Sequence, residues 1–168
     1  MALAKLLIAN RGEIAVRIAR AAAELGLPTV AVYSEDDASS LHVKTASESI
    51  PLRGSGARAY LDSEQIVHTA VEAGCDALHP GYGFLAEDAR FAQQCVEAGL
   101  IFVGPTVATL ELFGDKVRAR RFAEEHGVPV LPGVDGPVDA EAARAFLNSL
   151  GEGGAMVLKA VSGGGGRR

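Results

Sequence analysis

A repeated alternation between short apolar runs and segments of helical periodicity constrains the fold more than any other feature. Apolar runs include "LLIA" from Leu6, "TVAVYS" from Thr29, "DALH" from Asp76 and "LIFVG" after Gly99, with a weaker proline-containing run, "SESIPL", between them. Such runs are typical of strands buried on both faces, and the long segments between them are typical of right-handed crossovers. Residues 1–104 therefore predict a doubly wound, mainly parallel, Rossmann-like α/β sheet.

The segments between these runs are predicted to be helices. In the first, Ile14, Ile18, Ala22 and Leu25 share one face by the helical period, and Gly26 ends the helix. Two more helices are predicted over residues 63–73 and 87–98, each followed by a glycine.

A second region begins beyond Gly104-Pro105. Here the predicted elements are helices over residues 106–113, 116–126 and 139–150, the last with Asp139 as its N-cap, and a strand in "AMVLKAV". These elements are too few to close a hydrophobic core. We therefore expect a first domain over residues 1–113 and the incomplete start of a second over residues 114–168.

Composition excludes several classes of protein. The net charge is −5 and the 16 basic residues are dispersed, which disfavours nucleic acid or an anionic membrane as the partner. No apolar stretch reaches the roughly 20 residues of a membrane helix. Cys75 and Cys95 are the only cysteines and lack metal-site spacing. We expect no metal site, no disulfide, no removable targeting segment and a cytoplasmic location, with a mitochondrial matrix location left open.

The turn after the first strand is a poor dinucleotide site. The sequence "NRGEIAVRIAR" has only Gly12 of the GxGxxG pattern, and the Glu13 carboxylate would face a phosphate. "GSGARA", residues 54–59, fits the pattern on paper but follows a weak strand, so we interpret it as a loop.

The polar face of the first helix admits two interpretations. Glu13, Arg17, Arg20 and Glu24 recur at spacings that allow two i,i+4 ion pairs on a solvated face. The same exposed charges also suit a subunit interface. The residues alone leave both interpretations open.

Three segments are candidates for chemistry. "HPGYGFLAE" begins at His79, where a parallel sheet presents its ligand crevice, and its glycines allow close backbone approach. The alternative is a tight turn with His79 satisfied by backbone. Lys116 opens a basic helix, and Lys159 lies in an apolar run before "SGGGGRR". A lysine before a glycine loop suits phosphate binding, although the loop is not a Walker A motif.

Together these motifs resemble the N-terminal part of biotin carboxylase, the ATP-dependent component of acetyl-CoA, propionyl-CoA, acyl-CoA and pyruvate carboxylases. The matching stretches are "IANRGEIAVRI", "HPGYGFLAE", "FVGP", "GDKVRAR", "GVPVLPG" and "LKAVSGGGGR". The resemblance implies a pre-ATP-grasp domain followed by the start of an ATP-grasp domain. It implies a ligase that uses ATP, Mg²⁺ (or Mn²⁺) and bicarbonate to carboxylate, through carboxyphosphate, the biotin of a carboxyl carrier protein or domain.

The resemblance also implies roles for individual residues. It assigns ATP binding to Lys116, Lys159, Gly163, Gly164, Gly165 and Gly166, the biotin-site loop to His79, Gly81, Tyr82 and Gly83, and a homodimer interface to Arg17 and Arg20. It further implies a carboxyltransferase subunit or domain as a partner. No catalytic residue and no metal ligand are expected within these residues, because the family's carboxylates for Mg²⁺ lie further along. We therefore expect the 168-residue chain to be inactive alone.

Two departures from the family pattern stand out. The chain has Arg168 where the family usually continues its flap with glycine, and Asp88 where asparagine is common. We expect the glycine tail to be poorly ordered and Asp88 to be tolerated. Carbamoyl-phosphate synthetase and the purine synthetases share the architecture and are the alternative enzymes. A dimerisation or binding module is the alternative outside enzymes. The acyl-CoA or keto acid is not encoded in these residues.

Overall fold

The computed structural model describes residues 3–134 and 136–158. The chain divides into two compact units, Met1–Leu110 and Glu111–Arg168. Lys159 and Gly163, Gly164, Gly165 and Gly166, the expected nucleotide-binding lysine and glycines, lie outside the described residues, as does the tail expected to be poorly ordered.

The first unit is built on a five-stranded parallel sheet. Its strands are β1 (Leu6–Ile8), β2 (Thr29–Tyr33), β3 (Glu48–Pro51), β4 (Ala77–His79) and β5 (Ile101–Phe102). Their spatial order is β3-β2-β1-β4-β5, so β1 lies in the middle. Ile8 pairs with Ala31 of β2 on one side and with His79 of β4 on the other. The predicted doubly wound parallel sheet is confirmed.

Five helices connect or flank these strands. They are α1 (Gly12–Glu24), α2 (Leu41–Thr45), α3 (Gly56–Ala59), α4 (Ser63–Glu72) and α5 (Ala89–Glu97). The sequence did not predict α2 or α3, because four or five residues are too few to show a helical period. The interpretation of residues 54–59 as a loop was therefore wrong for α3.

The start of α5 explains why Asp88 is tolerated. Its carboxylate oxygen accepts hydrogen bonds from the backbone N–H groups of Arg90 at 2.8 Å and Phe91 at 3.1 Å. Aspartate and asparagine are about equally good N-caps, since either side chain supplies the accepting oxygen. The residue therefore keeps the capping role that an asparagine would have.

The larger part of the core lies between the sheet and the helices α4 and α5. It contains Leu7, Leu78, Ile66 and Phe91, all with no more than 2% of their surface exposed. The Phe91 ring also meets the Phe102 ring edge-on, with 6.0 Å between centroids. This packing covers one face of the sheet, as a parallel sheet requires.

The opposite face is covered by α1, and here one prediction was wrong. Leu25, which was predicted to share one face with Ile14, Ile18 and Ala22, follows the last residue of α1 and is 82% exposed. The buried residues of α1 are instead Ala15, Val16, Ala19 and Ala22. Three of these four are alanines, whose small side chains let the helix backbone lie close to β1, whereas the bulkier Ile18 is only partly buried beside them.

Helix α6 (Val107–Gly114) crosses the boundary between the units at Leu110 and Glu111, and the second unit contains α7 (Lys116–Glu125) and α8 (Ala140–Ser149). Asp139 caps α8 as predicted, accepting from the Ala142 N–H at 2.8 Å. The predicted strand in "AMVLKAV" is not formed over residues 155–158, where Val157 is 78% exposed. The described part of this unit contains no other strand with which it could pair, and an unpaired strand is not stable.

Three further findings bear on the class of protein. Within the described ranges, no helix has both the length and the apolar character that crossing a bilayer requires. The same residues contain no group of three or more His, Cys, Asp or Glu side chains arranged to hold a metal ion. Burial raises the pKa of the Cys75 thiol to about 11 and that of Cys95 to about 12, so both stay protonated and unreactive at neutral pH.

Candidate functional site

The candidate site of the first unit lies at the carboxyl end of the sheet. The strand connections leave in opposite directions on the two sides of β1, so the switch point of the sheet falls between β1 and β4. The two strands stay paired up to Ala9, whose N–H donates to the His79 carbonyl at 2.9 Å. The segments that follow, Asn10-Arg11 and the loop His79–Gly83, therefore emerge side by side.

Asn10 bridges the crevice at this switch point. Its side chain is fully buried, and its amide nitrogen Nδ2 donates to the carbonyl oxygens of Pro80 at 2.7 Å and Tyr82 at 3.0 Å. Its Oδ1 accepts from the Arg11 N–H at 2.8 Å. An open dinucleotide site needs this space for the ligand, so the bridge agrees with the poor glycine pattern of the turn.

The loop His79–Gly83 is a tight turn with one ring presented outward. The Gly81 N–H donates to Nδ1 of His79 at 3.0 Å, so the neutral imidazole carries its proton on Nε2. Burial lowers the pKa of His79. Tyr82 is 66% exposed. The structure thus places the four predicted loop residues together, with His79 satisfied by backbone and the Tyr82 ring available to a ligand.

A polar and aromatic network that the sequence did not reveal lies beside this loop. The Asp37 carboxylate accepts hydrogen bonds from the Tyr60 hydroxyl at 2.9 Å, the Ser40 hydroxyl at 3.0 Å and the Arg11 guanidinium at 3.2 Å. The guanidinium also lies 5.7 Å from the Tyr60 ring and 5.9 Å from the Phe84 ring. These residues come from separate segments, so no local pattern signals the network.

The electrostatics of this network follow from burial and hydrogen bonding. Burial alone would raise the pKa of Asp37, but the hydrogen bonds from Tyr60, Ser40 and Arg11 outweigh it and lower the pKa. Burial raises the pKa of Tyr60 to about 12. Burial also lowers the pKa of the nearby His42, an effect that the Asp37 charge partly opposes. At neutral pH the network therefore holds one carboxylate and one guanidinium around a neutral phenol.

The lowered histidine pKa values predict how stability depends on pH. Because His42 and His79 bind a proton less readily when folded, their contribution is fully present above the ordinary pKa of 6.5 and is lost as the pH falls below it. We expect the free energy of unfolding to fall by at most about 1.4 kcal/mol per pH unit for each histidine. Urea titrations between about pH 7.5 and about pH 5, followed by tyrosine fluorescence, measure this slope.

The control is a chain carrying His42→Asn and His79→Asn. Its slope over the same pH range should be clearly shallower than that of the parent chain, and equal slopes would contradict the assignment. A separate decline is expected below the ordinary carboxyl pKa of 3.8, because hydrogen bonds lower the pKa values of Asp36, Asp37 and Asp76 in the folded state.

The polar face of α1 is fully open to solvent. Glu13, Arg17, Arg20 and Glu24 are all exposed and border one shallow recess. Neither of the two i,i+4 ion pairs that the spacing allows is formed; the ion pairs of the described residues involve other side chains. Because these four side chains extend into water, they do not form ion pairs with one another along the helix.

A mainly apolar groove runs between α1 and the loop. Its volume is about 410 Å³, and its lining includes Ile14, Arg17, Ile18, Leu25 and Tyr82. Arg17 and Tyr82, which the resemblance assigns to the interface and to the biotin-site loop, thus border the same groove.

The candidate site of the second unit is the start of α7. Asp115 is its N-cap and accepts from the N–H groups of Val117 at 2.9 Å and Arg118 at 3.1 Å. Lys116 is the first residue of this helix and is exposed. On the same helix, Arg120 donates to the Leu131 carbonyl at 2.8 Å and pairs with Glu124 at 2.7 Å. A lysine at a helix N-terminus suits an anionic ligand.

The first unit is thus a doubly wound parallel α/β domain whose switch-point crevice is bridged by Asn10, and a second unit with a basic helix follows it in the sequence. The family model described as "Biotin carboxylase, N-terminal domain" matches residues 2–110. The chain belongs to this family.

Individual relatives agree. A pyruvate carboxylase of Staphylococcus aureus is 52% identical over 167 residues, covering 97% of this chain and 14% of the relative. The solved biotin carboxylase domain of a single-chain bacterial carboxylase is 55% identical, with a TM-score of 0.86 over 88% of this chain and 34% of that one.

A third relative was solved with ligands. The biotin carboxylase domain dimer of Hydrogenobacter thermophilus 2-oxoglutarate carboxylase, in complex with MgADP, ADP and bicarbonate, is 45% identical with a TM-score of 0.86, over 90% of this chain and 34% of that one. The chain thus spans about a third or less of the length of these relatives.

Proposed function

We propose that this chain provides the N-terminal domain and the start of the ATP-grasp domain of a biotin carboxylase. The enzyme would use ATP and bicarbonate to carboxylate biotin on a carrier protein or domain and would supply a carboxyltransferase. The observation that supports this best is that similarity to the Staphylococcus aureus relative continues through 97% of the chain, well beyond the first unit. We keep the proposed boundary between the two domains at residues 113 and 114.

Within the second domain, we propose that Lys116, Lys159 and the glycines Gly163, Gly164, Gly165 and Gly166 bind ATP. Exposure of Lys116 at the N-terminus of α7 supports the first of these. ATP supplies the phosphoryl group that activates bicarbonate. A lysine contributes by neutralising phosphate charge, and a closing glycine loop contributes by excluding water.

The described residues do not fit Mg²⁺ or Mn²⁺, because they contain no group of three metal-ligating side chains. No metal role is therefore assigned to them.

Within the first domain, we propose that His79, Gly81, Tyr82 and Gly83 border biotin. The exposed Tyr82 ring offers a flat apolar surface with a hydroxyl at its edge, which suits a small bicyclic ligand with polar and apolar parts. The proposed location is the cytoplasm or, since a mouse relative is a mitochondrial pyruvate carboxylase, the mitochondrial matrix.

The experiment that tests the function is a steady-state assay of ATP hydrolysis by the complete gene product. We expect hydrolysis to require both bicarbonate and biotin, and the 168-residue chain alone to give none. Hydrolysis by the complete product that needs ammonia and ignores biotin would instead indicate a carbamoyl-phosphate synthetase. Biotin-dependent hydrolysis by the 168-residue chain would contradict the proposed division of the machinery.

We also propose that Arg17 and Arg20 contribute to a homodimer interface. Their exposure without ion pairs along α1 supports this, and the Hydrogenobacter thermophilus relative was solved as a dimer. A chain with Arg17→Glu and Arg20→Glu should dimerise at least about tenfold more weakly, because mismatched charges at an interface cost several kcal/mol. Sedimentation equilibrium measures the change.

The matched control is Arg58→Glu, an equally drastic charge reversal at an exposed position on α3. It should leave the dimer unchanged. The same monomeric mass for the parent chain and the double variant would remove the interface proposal.

A further inference from the structure

We propose that Asn10 is the positioning residue of the His79–Gly83 loop and holds Tyr82 in the position in which it contacts biotin. The inference rests on the proposed function, because that function gives the loop its ligand. The juxtaposition that carries it is one buried side-chain amide bonded to two carbonyls of the loop.

The backbone pairing between β1 and β4 ends at the start of the loop. The ladder between β1 and β4 runs to the Ala9 N–H and the His79 carbonyl. Beyond that point the chains separate, and the carbonyls of Pro80 and Tyr82 need other donors. The Asn10 amide supplies both of its protons to them, at 2.7 Å and 3.0 Å. The side chain thus takes over where the sheet can no longer hold the loop.

The hydrogen-bonding groups of the side chain explain why residue 10 is an asparagine. One end of the side chain donates twice, and the other accepts from the Arg11 N–H at 2.8 Å. Aspartate has no donors, serine has one and alanine has none. The side chain is also fully buried, and its bond to the Pro80 carbonyl is buried, so removing the side chain would leave a buried carbonyl without its donor.

Gly81 lies between the two residues whose carbonyls bind the Asn10 amide. Gly81 has φ +67°, and a Cβ atom there would lie 2.6 Å from Cγ2 of Ile14 and 2.7 Å from Nδ2 of Asn10. Only glycine therefore fits beneath the amide. Asn10 and Gly81 take part in the same contact. The Asn10 amide binds the loop, and the absence of a Cβ atom at Gly81 lets the loop approach the amide.

The bond to the Tyr82 carbonyl links Asn10 to the proposed biotin site. The amide holds the carbonyl of Tyr82, the residue whose ring is 66% exposed. Releasing that carbonyl moves the ring relative to the rest of the enzyme while leaving α7 and Lys116 unaltered. The defect should therefore fall on biotin and spare ATP.

The experiment measures KM for free biotin and for ATP in the complete gene product. Asn10→Ala and Gly81→Ala should each raise the KM for biotin about tenfold or more, with the KM for ATP within about twofold of the parent. The combined variant should show less than the product of the two effects, because each alone already displaces the same loop.

The matched control is Gly74→Ala. Gly74 has φ +68°, nearly the same backbone conformation as Gly81, but a Cβ there would meet no atom within 4 Å. It carries the backbone strain without the clash, so its KM for biotin should stay within about twofold of the parent.

Equal increases in the two KM values for Gly81→Ala, or an equal biotin effect for Gly74→Ala, would overturn the inference. Where Asn10→Ala lowers stability too far, Gly81→Ala decides, since it keeps every hydrogen-bonding group. A parent enzyme without biotin-dependent turnover would overturn the proposed function instead. In that case hydrogen exchange of the Gly81 amide in the 168-residue chain tests whether Asn10 holds the loop. Asn10→Ala should speed this exchange about tenfold, and unchanged exchange would contradict the positioning role of Asn10.

Discussion

Replacing Lys116 with alanine is expected to lower biotin-dependent ATP hydrolysis by the complete gene product about 100-fold. Lys116 opens α7 and is exposed, and a lysine ammonium group neutralises the charge of a bound phosphate. Phosphoryl transfer depends mainly on charge neutralisation and positioning, which is why one missing cation has a large effect. Rates at saturating and limiting ATP separate the loss of binding from the loss of turnover.

Arg118→Ala is the matched control for this prediction. Arg118 is an exposed cation on the same helix, two positions further along. Its removal should change the rate by less than about twofold, because a solvated surface charge contributes little. Equal losses in the two variants would mean that the helix contributes only general positive charge, and an unaffected Lys116→Ala enzyme would remove Lys116 from the nucleotide site.

Replacing Phe91 with alanine is expected to lower the free energy of unfolding of the first unit by about 3–5 kcal/mol. The ring is fully buried in the larger core and packs edge-on against Phe102, so the change leaves a cavity and removes an aromatic contact. A domain of ordinary stability loses much of its margin by such a change. All three tyrosines, Tyr33, Tyr60 and Tyr82, lie in the first unit, so tyrosine fluorescence during urea unfolding reports on it directly.

Val96→Ala serves as the control on the same helix, α5. Val96 is 56% exposed, and alanine is the better helix former, so this change should alter stability by less than about 0.5 kcal/mol. A loss in Phe91→Ala no larger than that of the control would contradict the assignment of the core.

The parallel sheet could be predicted from the sequence because its strands are apolar enough to be buried on both faces. β1, with Leu6, Leu7 and Ile8, is the clearest example, since all three residues are buried. The N-cap of α8 could also be predicted, because Asp139 acts on a backbone N–H only three residues away. Signals of this kind are local, and local structure follows from them.

What could not be predicted depends on contacts between distant segments. The helical period of the sequence placed Leu25 on one face with Ile14, Ile18 and Ala22, but the buried alanines of α1 decide how the helix lies on the sheet. The Asn10 amide meets carbonyls 70 and 72 positions away. The network of Arg11, Asp37 and Tyr60 likewise joins three separate segments. No spacing in the sequence indicates any of these contacts.

The proposed roles of individual residues follow from the resemblance to biotin carboxylase. His79, Gly81, Tyr82 and Gly83 lie in one turn, in which the Gly81 N–H donates to the His79 ring. Arg17 and Arg20 are exposed on one helix. Lys159 and Gly163 to Gly166 lie outside the described residues.

Following radiolabelled bicarbonate in the complete gene product tests the claim that this chain is part of a biotin carboxylase. With ATP and biotin present, we expect label to enter carboxybiotin in step with ADP formation, and we expect none when either ATP or biotin is omitted. ADP formation without label in carboxybiotin, or label that appears only in carbamoyl phosphate when ammonia is added, would contradict the claim.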